Sequence, residues 1–330
     1  MSKATRIALA VLLLVLIALP WFVSSYTLQI LIQTITFAML GLAFASTLRV
    51  GLPRFDVAAW WAVGAYTTAL LMKKTDMSFW LTLPIGGFAA VIVGFLIFMI
   101  AVPRGMMVFL LFGMVTAMAI QQLFGSVDFF GGWGGPGLVP RPTIFSHRLI
   151  GKQELYYLGL FFLTLNIAVN SLLLNSKIGR AWNAIGSSLK LANSIGVDVV
   201  RYRMANVLIG NFFLAIAGSF FAAYSPTVMP STFSFGSSIY VMMYVIVGGL
   251  FHSLAGPIVG ALVITFIPEY LRMAKEYEPI ITSAAIILII IFMPTGILGL
   301  VDQRVKPWLV RTNRFRPKAE PKTSRAKAAV

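Results

Sequence analysis

Long apolar runs separated by short polar stretches follow one another along almost the whole chain. They cover residues 7–23, 28–48, 55–72, 79–102, 106–124, 155–174, 204–224, 239–271 and 280–300. Apart from 239–271, each has the length of roughly 17 to 25 residues that a helix needs to cross a bilayer core of about 30 Å. The runs lack the alternation of barrel strands. The pattern therefore predicts an all-α, polytopic membrane bundle.

Two of the runs depart from a single crossing. Residues 55–72 form a short run that carries Gly64, which indicates a broken or re-entrant helix. Residues 239–271 are too many for one crossing, and Gly248-Gly249 with Gly256-Pro257 interrupts them, which predicts two helices joined by a turn. With this region counted twice, we expect about eight to ten membrane segments.

Basic residues orient the predicted bundle, because short cytoplasmic loops are enriched in Lys and Arg. Alternation from a cytoplasmic amino terminus places two amino-terminal, eight loop and nine tail basic residues inside, against seven outside. This distribution predicts that both termini are cytoplasmic. Lys73 and Lys74 are the main basic residues left outside. Because Val23-Ser24-Ser25 also fits a signal-peptidase site, cleavage of the first segment stays an open alternative.

Composition agrees with a lipid environment. Of the 330 residues, 59% are hydrophobic and 11% are charged, with a mean hydropathy of +0.89, whereas soluble domains hold about 25% charged residues. Residues 1–300 are therefore expected to form one transmembrane domain. Nine of the 26 basic residues behind the net charge of +16 lie in the tail 301–330, which we expect to be disordered and cytoplasmic. Anionic lipid explains this charge, so we expect no nucleic-acid partner.

Several kinds of chemistry have no candidate residues in the sequence. The chain has no cysteine, ten carboxylates and two histidines, His147 and His252, which are too far apart in sequence to suggest a metal site. It has no glycine-rich phosphate loop, so we expect it to bind no ATP itself. The missing catalytic cluster disfavours an alternative function as a membrane-embedded lipid enzyme. The lack of a mid-span ionisable residue disfavours an ion-coupled secondary transporter, the other alternative.

One long basic loop, residues 175–203, follows the sixth segment. Gly179 begins a turn, and residues 180–192 carry Ala181, Trp182, Ile185, Leu189 and Ala192 at helical spacing. The spacing predicts one short amphipathic helix on the cytoplasmic side. Such a helix either lies on the lipid surface or docks in a groove of a partner protein.

Four blocks resemble branched-chain amino acid ABC-transporter permeases of the LivM type. The loop residues that resemble the family's cytoplasmic coupling loop are Gly179-Arg180-Ala181, Ile185, Ala192, Ser194-Ile195-Gly196-Val197 and Arg201-Tyr202-Arg203. The other three blocks are Gly64-Ala65-Tyr66-Thr67, Gly248-Gly249-Leu250 with Gly256-Pro257-Ile258-Val259-Gly260-Ala261, and Pro294-Thr295-Gly296-Ile297. They occur in the family's order between residues 28 and 300. Residues 51–56 lack the family's usual Gly-Gln-x-Ser-x-Gly-like run.

The resemblance implies a permease subunit of a bacterial inner-membrane importer for branched-chain amino acids or related small amino acids and amides. It also implies a second permease subunit, two cytoplasmic ATP-binding subunits and an extracytoplasmic substrate-binding protein. ATP would be bound by those partners, so the chain itself needs no cofactor and is not expected to be an enzyme. The residues implied at the ATPase contact are Gly179, Arg180, Ala181, Ile185, Ala192 and Gly196.

Polar residues within the apolar runs are candidates for the substrate path. The main ones are Thr116, Gln121, Asn211 and Tyr244. Such side chains also bond transmembrane helices to one another, so both roles stay open. The same applies to Gly64, Gly248, Gly249, Gly256 and Pro257, which either break helices or let backbones pack closely.

Overall fold

The computed structural model describes residues 16–144, 147–249 and 254–271, and also 284, 287, 288, 291–293 and 295–299. Nine of the 17 residues of the first predicted segment, ten of the 21 residues of the last one and the whole basic tail lie outside the described residues. Within them the chain forms the helices α1 Ser25–Leu48, α2 Val57–Lys74, α3 Phe79–Ala101, α4 Met106–Ser126, α5 Lys152–Asn175, α6 Lys177–Ser187, α7 Leu189–Ser194, α8 Val199–Tyr224, α9 Phe235–Gly248 and α10 Ala255–Leu271. Two-residue strands, β1 Thr143–Ile144 and β2 His147–Arg148, pair antiparallel.

Five helices, α1, α3, α4, α5 and α8, are long and apolar enough to cross a membrane, and α9 and α10 are shorter apolar helices. This confirms the predicted all-α, polytopic membrane architecture. The helices differ in burial, because 78% of the apolar window of α1 and of α8 is buried, against 33–39% in α3, α4 and α5. Helices α1 and α8 therefore form the centre of the bundle, and the other three present much of their surface outward.

Helix α8 fixes the direction of its neighbours. Near its start Asn206 donates to the Ser46 hydroxyl at the end of α1 (3.2 Å), and at its end the Tyr224 hydroxyl bonds Thr36 (3.3 Å). Helix α1 is therefore antiparallel to α8. Helix α2 crosses α8 so closely that a Cβ built on Gly64 would overlap the Ala215 carbonyl group. Small residues thus bring these two backbones into contact.

Helix α2 begins inside the bundle. Just before its first residue, Arg54 bonds Asn211 in the middle of α8, and Asp56 lies beside Gly113 in the first half of α4. The eight residues 49–56, here called the inner segment, therefore run from the end of α1 into the bundle. This is the geometry that a broken helix requires. The far end of α2 reaches the surface, where Lys74 donates to the Phe129 carbonyl (3.2 Å).

Helix α9 begins at the same depth as α2. The Ser238 hydroxyl accepts a bond from the Ala58 backbone N–H (3.0 Å), and the rings of Phe55 and Phe235 meet edge to face. The region predicted as two helices joined by a turn is divided between α9 and α10. A Cβ built on Gly248 would overlap the Gly256 carbonyl group, so these two helices also touch through their backbones.

Candidate functional site

The loop between α5 and α8 contains two helices instead of the predicted single helix. Helix α6 is capped by Ser176, whose hydroxyl accepts from the backbone N–H groups of Ile178 (3.1 Å) and Gly179 (3.3 Å). Helix α7 is capped in the same way by Ser188, which accepts from the Leu191 N–H (3.3 Å). The prediction of one helix over 180–192 is wrong. Ser188 has an extended backbone, so α6 ends before it, and its side chain caps the start of α7.

The apolar face of this loop packs on the protein itself. Trp182, Ile185 and Ala192 are all buried, and the Trp182 indole Nε1 donates to the Tyr202 carbonyl oxygen of α8 (3.0 Å). A helix lying on lipid keeps its apolar face in the acyl region. Because these three side chains are buried in the bundle, their face does not lie on lipid, whereas Leu189, predicted on the same face, is 42% exposed.

Two glycines bring α6 against other backbones. A Cβ on Gly179 would overlap the carbonyl oxygens of Leu173 and Leu174 at the end of α5. A Cβ on Gly186 would overlap the carbonyl oxygen of Arg49, the first residue of the inner segment. Burial lowers the pKa of the Arg49 guanidinium from its ordinary value, although an arginine remains charged. The loop is therefore in direct backbone contact with the membrane helices.

The exposed side of the loop is basic and apolar. Arg180 and Lys190 are exposed, and Leu191 and Ile195 are 63% and 66% exposed. We call these four residues the loop surface. Of the residues implied at the ATPase contact, Arg180 and Gly196 are exposed, Ala181 is half-buried, and Gly179, Ile185 and Ala192 are buried. The sequence analysis named Ile195 through the family resemblance and missed Leu191, an apolar side chain outside the helical spacing of the buried face.

The predicted path residues are mostly enclosed within this chain. Asn211 is fully buried, Thr116 is buried and donates to the Phe112 carbonyl (2.7 Å), and Tyr244 is buried against the Phe37 ring. Gln121 is half-buried on α4. The structure brings none of the four into one cluster, so their role in a path stays a prediction.

A buried ion pair, which the sequence analysis did not single out, lies in the inner segment. Arg54 donates from Nε to Asp56 Oδ1 (2.8 Å) and from Nη2 to Asp56 Oδ2 (2.5 Å), and both side chains are fully buried. The same Nη2 donates to Asn211 Oδ1, and Trp60 Nε1 donates to Asp56 Oδ2. The expectation of an uncharged interior is therefore wrong here, because Arg54 and Asp56 lie inside the bundle just before α2.

An open cleft of about 570 Å³ lies between α6 and the inner segment. Its lining residues are Leu48, Arg49, Gly51, Pro53, Met106, Asn183, Gly186 and Ser187. One wall is thus α6 and the other is the chain that leads to Arg54. Within the described part of the chain, no group of three or more His, Cys, Asp or Glu side chains is placed to hold a metal ion.

Comparison with known proteins gives a consistent result. The family model described as "Branched-chain amino acid transport system / permease component" matches residues 26–294. The high-affinity branched-chain amino acid transport system permease protein LivM of Escherichia coli is 29% identical, over 91% of this chain and 76% of LivM. No solved structure matches the chain.

A second kind of permease protein is also similar. LivH of Escherichia coli, from the system of the same name, is 27% identical over 51% of this chain and 54% of LivH. The probable branched-chain amino acid transport permease protein LivH of Methanocaldococcus jannaschii is 24% identical over 77% of this chain and 85% of its own length. The chain is thus similar to both the LivM and the LivH proteins of one transport system.

Proposed function

Because this chain belongs to the family of branched-chain amino acid transport permease components, we propose that it is the membrane-spanning permease subunit of an ATP-driven importer. Its substrates are branched-chain amino acids or related small amino acids and amides. The observation that carries the proposal is the loop surface, which leaves basic and apolar side chains exposed while Trp182, Ile185 and Ala192 hold α6 and α7 on the bundle. This surface receives a cytoplasmic ATP-binding subunit.

The proposed assembly contains four further subunits besides this chain. A second permease completes the pathway, as the similarity to both LivM and LivH proteins suggests. Two ATP-binding subunits dock in the cytoplasm, and an extracytoplasmic protein delivers the substrate. ATP is bound by the partners, so this chain performs no catalysis of its own. The loop and both termini are cytoplasmic, and the protein lies in the bacterial inner membrane.

The loop surface fits a protein groove better than a lipid surface. Its apolar members are Leu191 in α7 and Ile195 directly after α7, and Lys190 precedes Leu191 in the same helix. A partner that covers them gains about 25 cal/mol of binding free energy for each Å² of apolar surface removed from water. Arg180 on α6 adds a cation that a carboxylate of the partner would pair. The face that carries Trp182 packs on α8 and is therefore unable to contact either a partner protein or lipid.

The buried Asp56 is the kind of residue that an ion-coupled transporter would use, since an ionisable group in a membrane interior is costly without a function. Its two oxygens, however, already accept bonds from Arg54 and Trp60. These bonds occupy the carboxylate oxygens that a carried proton or sodium ion would need. This geometry favours a structural or mechanical role over a proton or sodium carrier.

Purification of the tagged chain together with its ATP-binding subunits tests the proposal. We expect the wild-type protein to retain the ATPase in mild detergent and the charge reversal Arg180→Glu to lose it, with normal amounts of the chain in the membrane. Arg148→Glu is the matched control, because Arg148 is exposed on the polar stretch before α5. Full retention of the ATPase by Arg180→Glu would remove the loop surface from the docking site.

A further inference from the structure

The inner segment begins with a turn and then enters the bundle. Gly51 has a positive φ of 70°, and its N–H donates to the Leu48 carbonyl oxygen (3.0 Å). The even-numbered residues Val50, Leu52, Arg54 and Asp56 are all fully buried, and the odd-numbered residues are half-buried. The eight residues therefore connect the half-buried Arg49 with the interior.

Each end of the inner segment contacts a different part of the machinery. At the surface, the Arg49 carbonyl oxygen lies against Gly186 of α6 with no room for a side chain between them. At the interior, Arg54 bonds Asp56 and Asn211. A displacement of α6 toward the bundle therefore pushes directly on the backbone of the inner segment, because no side chain lies between Gly186 and Arg49. The neighbouring cleft leaves space for the segment to move.

Helix α8 holds the inner segment at two points. Arg203 Nε donates to the Val50 carbonyl oxygen (3.0 Å), and Asn211 Oδ1 accepts from Arg54. Residues 203 and 211 are eight positions apart, which is about 12 Å along a helix. The inner segment and α8 are therefore bonded along more than two turns. Movement of the segment must either carry α8 with it or break these hydrogen bonds.

The ion pair at the interior end has unused donors. Among the described residues, Arg54 Nη1 and Asn211 Nδ2 have no hydrogen-bond partner although both are buried. A buried donor without an acceptor is destabilising. Unsatisfied groups of this kind call for an explanation such as stored strain or an arrangement in which they are paired. Arg54 Nη1 and Asn211 Nδ2 are therefore donors that a second conformation of the cluster can pair.

From these contacts we infer that the inner segment transmits motion from helix α6 to the membrane interior, and that Arg54 is the positioning residue at its inner end. The inference rests on the proposed function, since α6 moves only if a partner moves it. It assigns a role to the stretch where the sequence departs from its family's usual run. Since α2 begins inside the bundle, the inner segment brings Arg54 to Asn211 in the middle of α8.

The test measures substrate uptake per ATP hydrolysed by the complete transporter in proteoliposomes. The double variant Arg54→Met/Asp56→Leu removes both buried charges together, and Gly186→Ala pushes α6 away from the inner segment. We expect either change to lower the ratio about tenfold, within the range usual for coupling between sites, while ATP hydrolysis continues. A purely structural role would lower the amount of active complex without changing the ratio for each active complex.

Two controls accompany these variants. Gly134→Ala makes the same substitution at an exposed glycine with no atom within 4 Å of the added Cβ. Arg148→Met removes an exposed arginine on the polar stretch before α5, outside the loop. Both should keep the wild-type ratio. If the double variant fails to assemble, the uptake ratio of Gly186→Ala alone tests the inference.

The outcomes separate the inference from the proposed function. Wild-type transporter that takes up no substrate with ATP would overturn the proposed function itself. Active wild type with an unchanged ratio in either test variant would overturn the inference and leave the proposed function standing. Loss of the ATPase from the Gly186→Ala complex would assign the contact to docking, and would overturn the inference as well.

Discussion

Removing one member of the buried ion pair should be far more costly than removing both. Asp56→Leu leaves the Arg54 guanidinium fully buried with Asn211 Oδ1 as its remaining acceptor. Breaking a buried pair in this way costs about 3–5 kcal/mol, whereas replacement of both partners by apolar residues is often neutral. We therefore expect Asp56→Leu and Arg54→Met each to destabilise strongly, and the double variant to recover most of the loss.

The size of the interaction follows from a double-mutant cycle. Trp60 Nε1 loses its acceptor in Asp56→Leu and again in the double variant, so this loss of about 1–3 kcal/mol cancels. The bond to Asn211 cancels in the same way between Arg54→Met and the double variant. What remains is the interaction between the two charges, which comes to about 6–7 kcal/mol if each single variant loses about 4 kcal/mol and the double variant about 1–2 kcal/mol.

Thermal unfolding in one detergent measures the cycle. A loss of about 4 kcal/mol lowers the midpoint by roughly 10 °C in a chain of this size class. The double variant should unfold within a few degrees of wild type. The reasoning is refuted if Asp56→Leu is as stable as wild type, or if the double variant is less stable than either single variant.

Three further predictions concern other parts of the bundle. Trp182→Ala should release the loop from α8 at a cost of about 3–5 kcal/mol, and trypsin should then cut the loop faster; an unchanged cleavage rate would contradict this packing. Gly64→Ala should lower the unfolding midpoint because its Cβ meets a carbonyl group of α8, while Gly134→Ala should not; equal midpoints would contradict the close crossing. Since the chain has no cysteine, single cysteines report accessibility, and Tyr240→Cys should react with a thiol reagent in the isolated chain much faster than Tyr244→Cys. The first tyrosine is 56% exposed and the second 6%, so equal rates would show that α9 faces another way.

The membrane architecture was predictable because apolar length and helix-breaking residues act locally. The runs beginning at residues 28, 79, 106 and 155 correspond to α1, α3, α4 and α5 with small changes of boundary. The interruption around Gly248-Gly249 separates α9 from α10 as expected, since two glycines and a following proline disfavour a continuous helix. The amphipathic spacing of Trp182 and Ile185 likewise identified the buried side of the loop.

The depth of the inner segment was not predictable in the same way. Arg54 and Asp56 look like ordinary loop charges in the sequence, because their burial depends on Asn211, a residue more than 150 positions away. The split of the loop at Ser188 was missed for a related reason. A serine is accepted within a helix and is also favoured as a cap, and tertiary contacts decide between the two.

We expect this chain to transport only when ATP-binding partners drive it. Reconstitution of the purified chain in liposomes, alone and as the complete transporter, tests this by following uptake of a radiolabelled branched-chain amino acid presented with its binding protein. Uptake is expected only with the complete transporter and only with ATP on the side of the loop. Uptake by the chain alone, driven by a proton or sodium gradient, would contradict it.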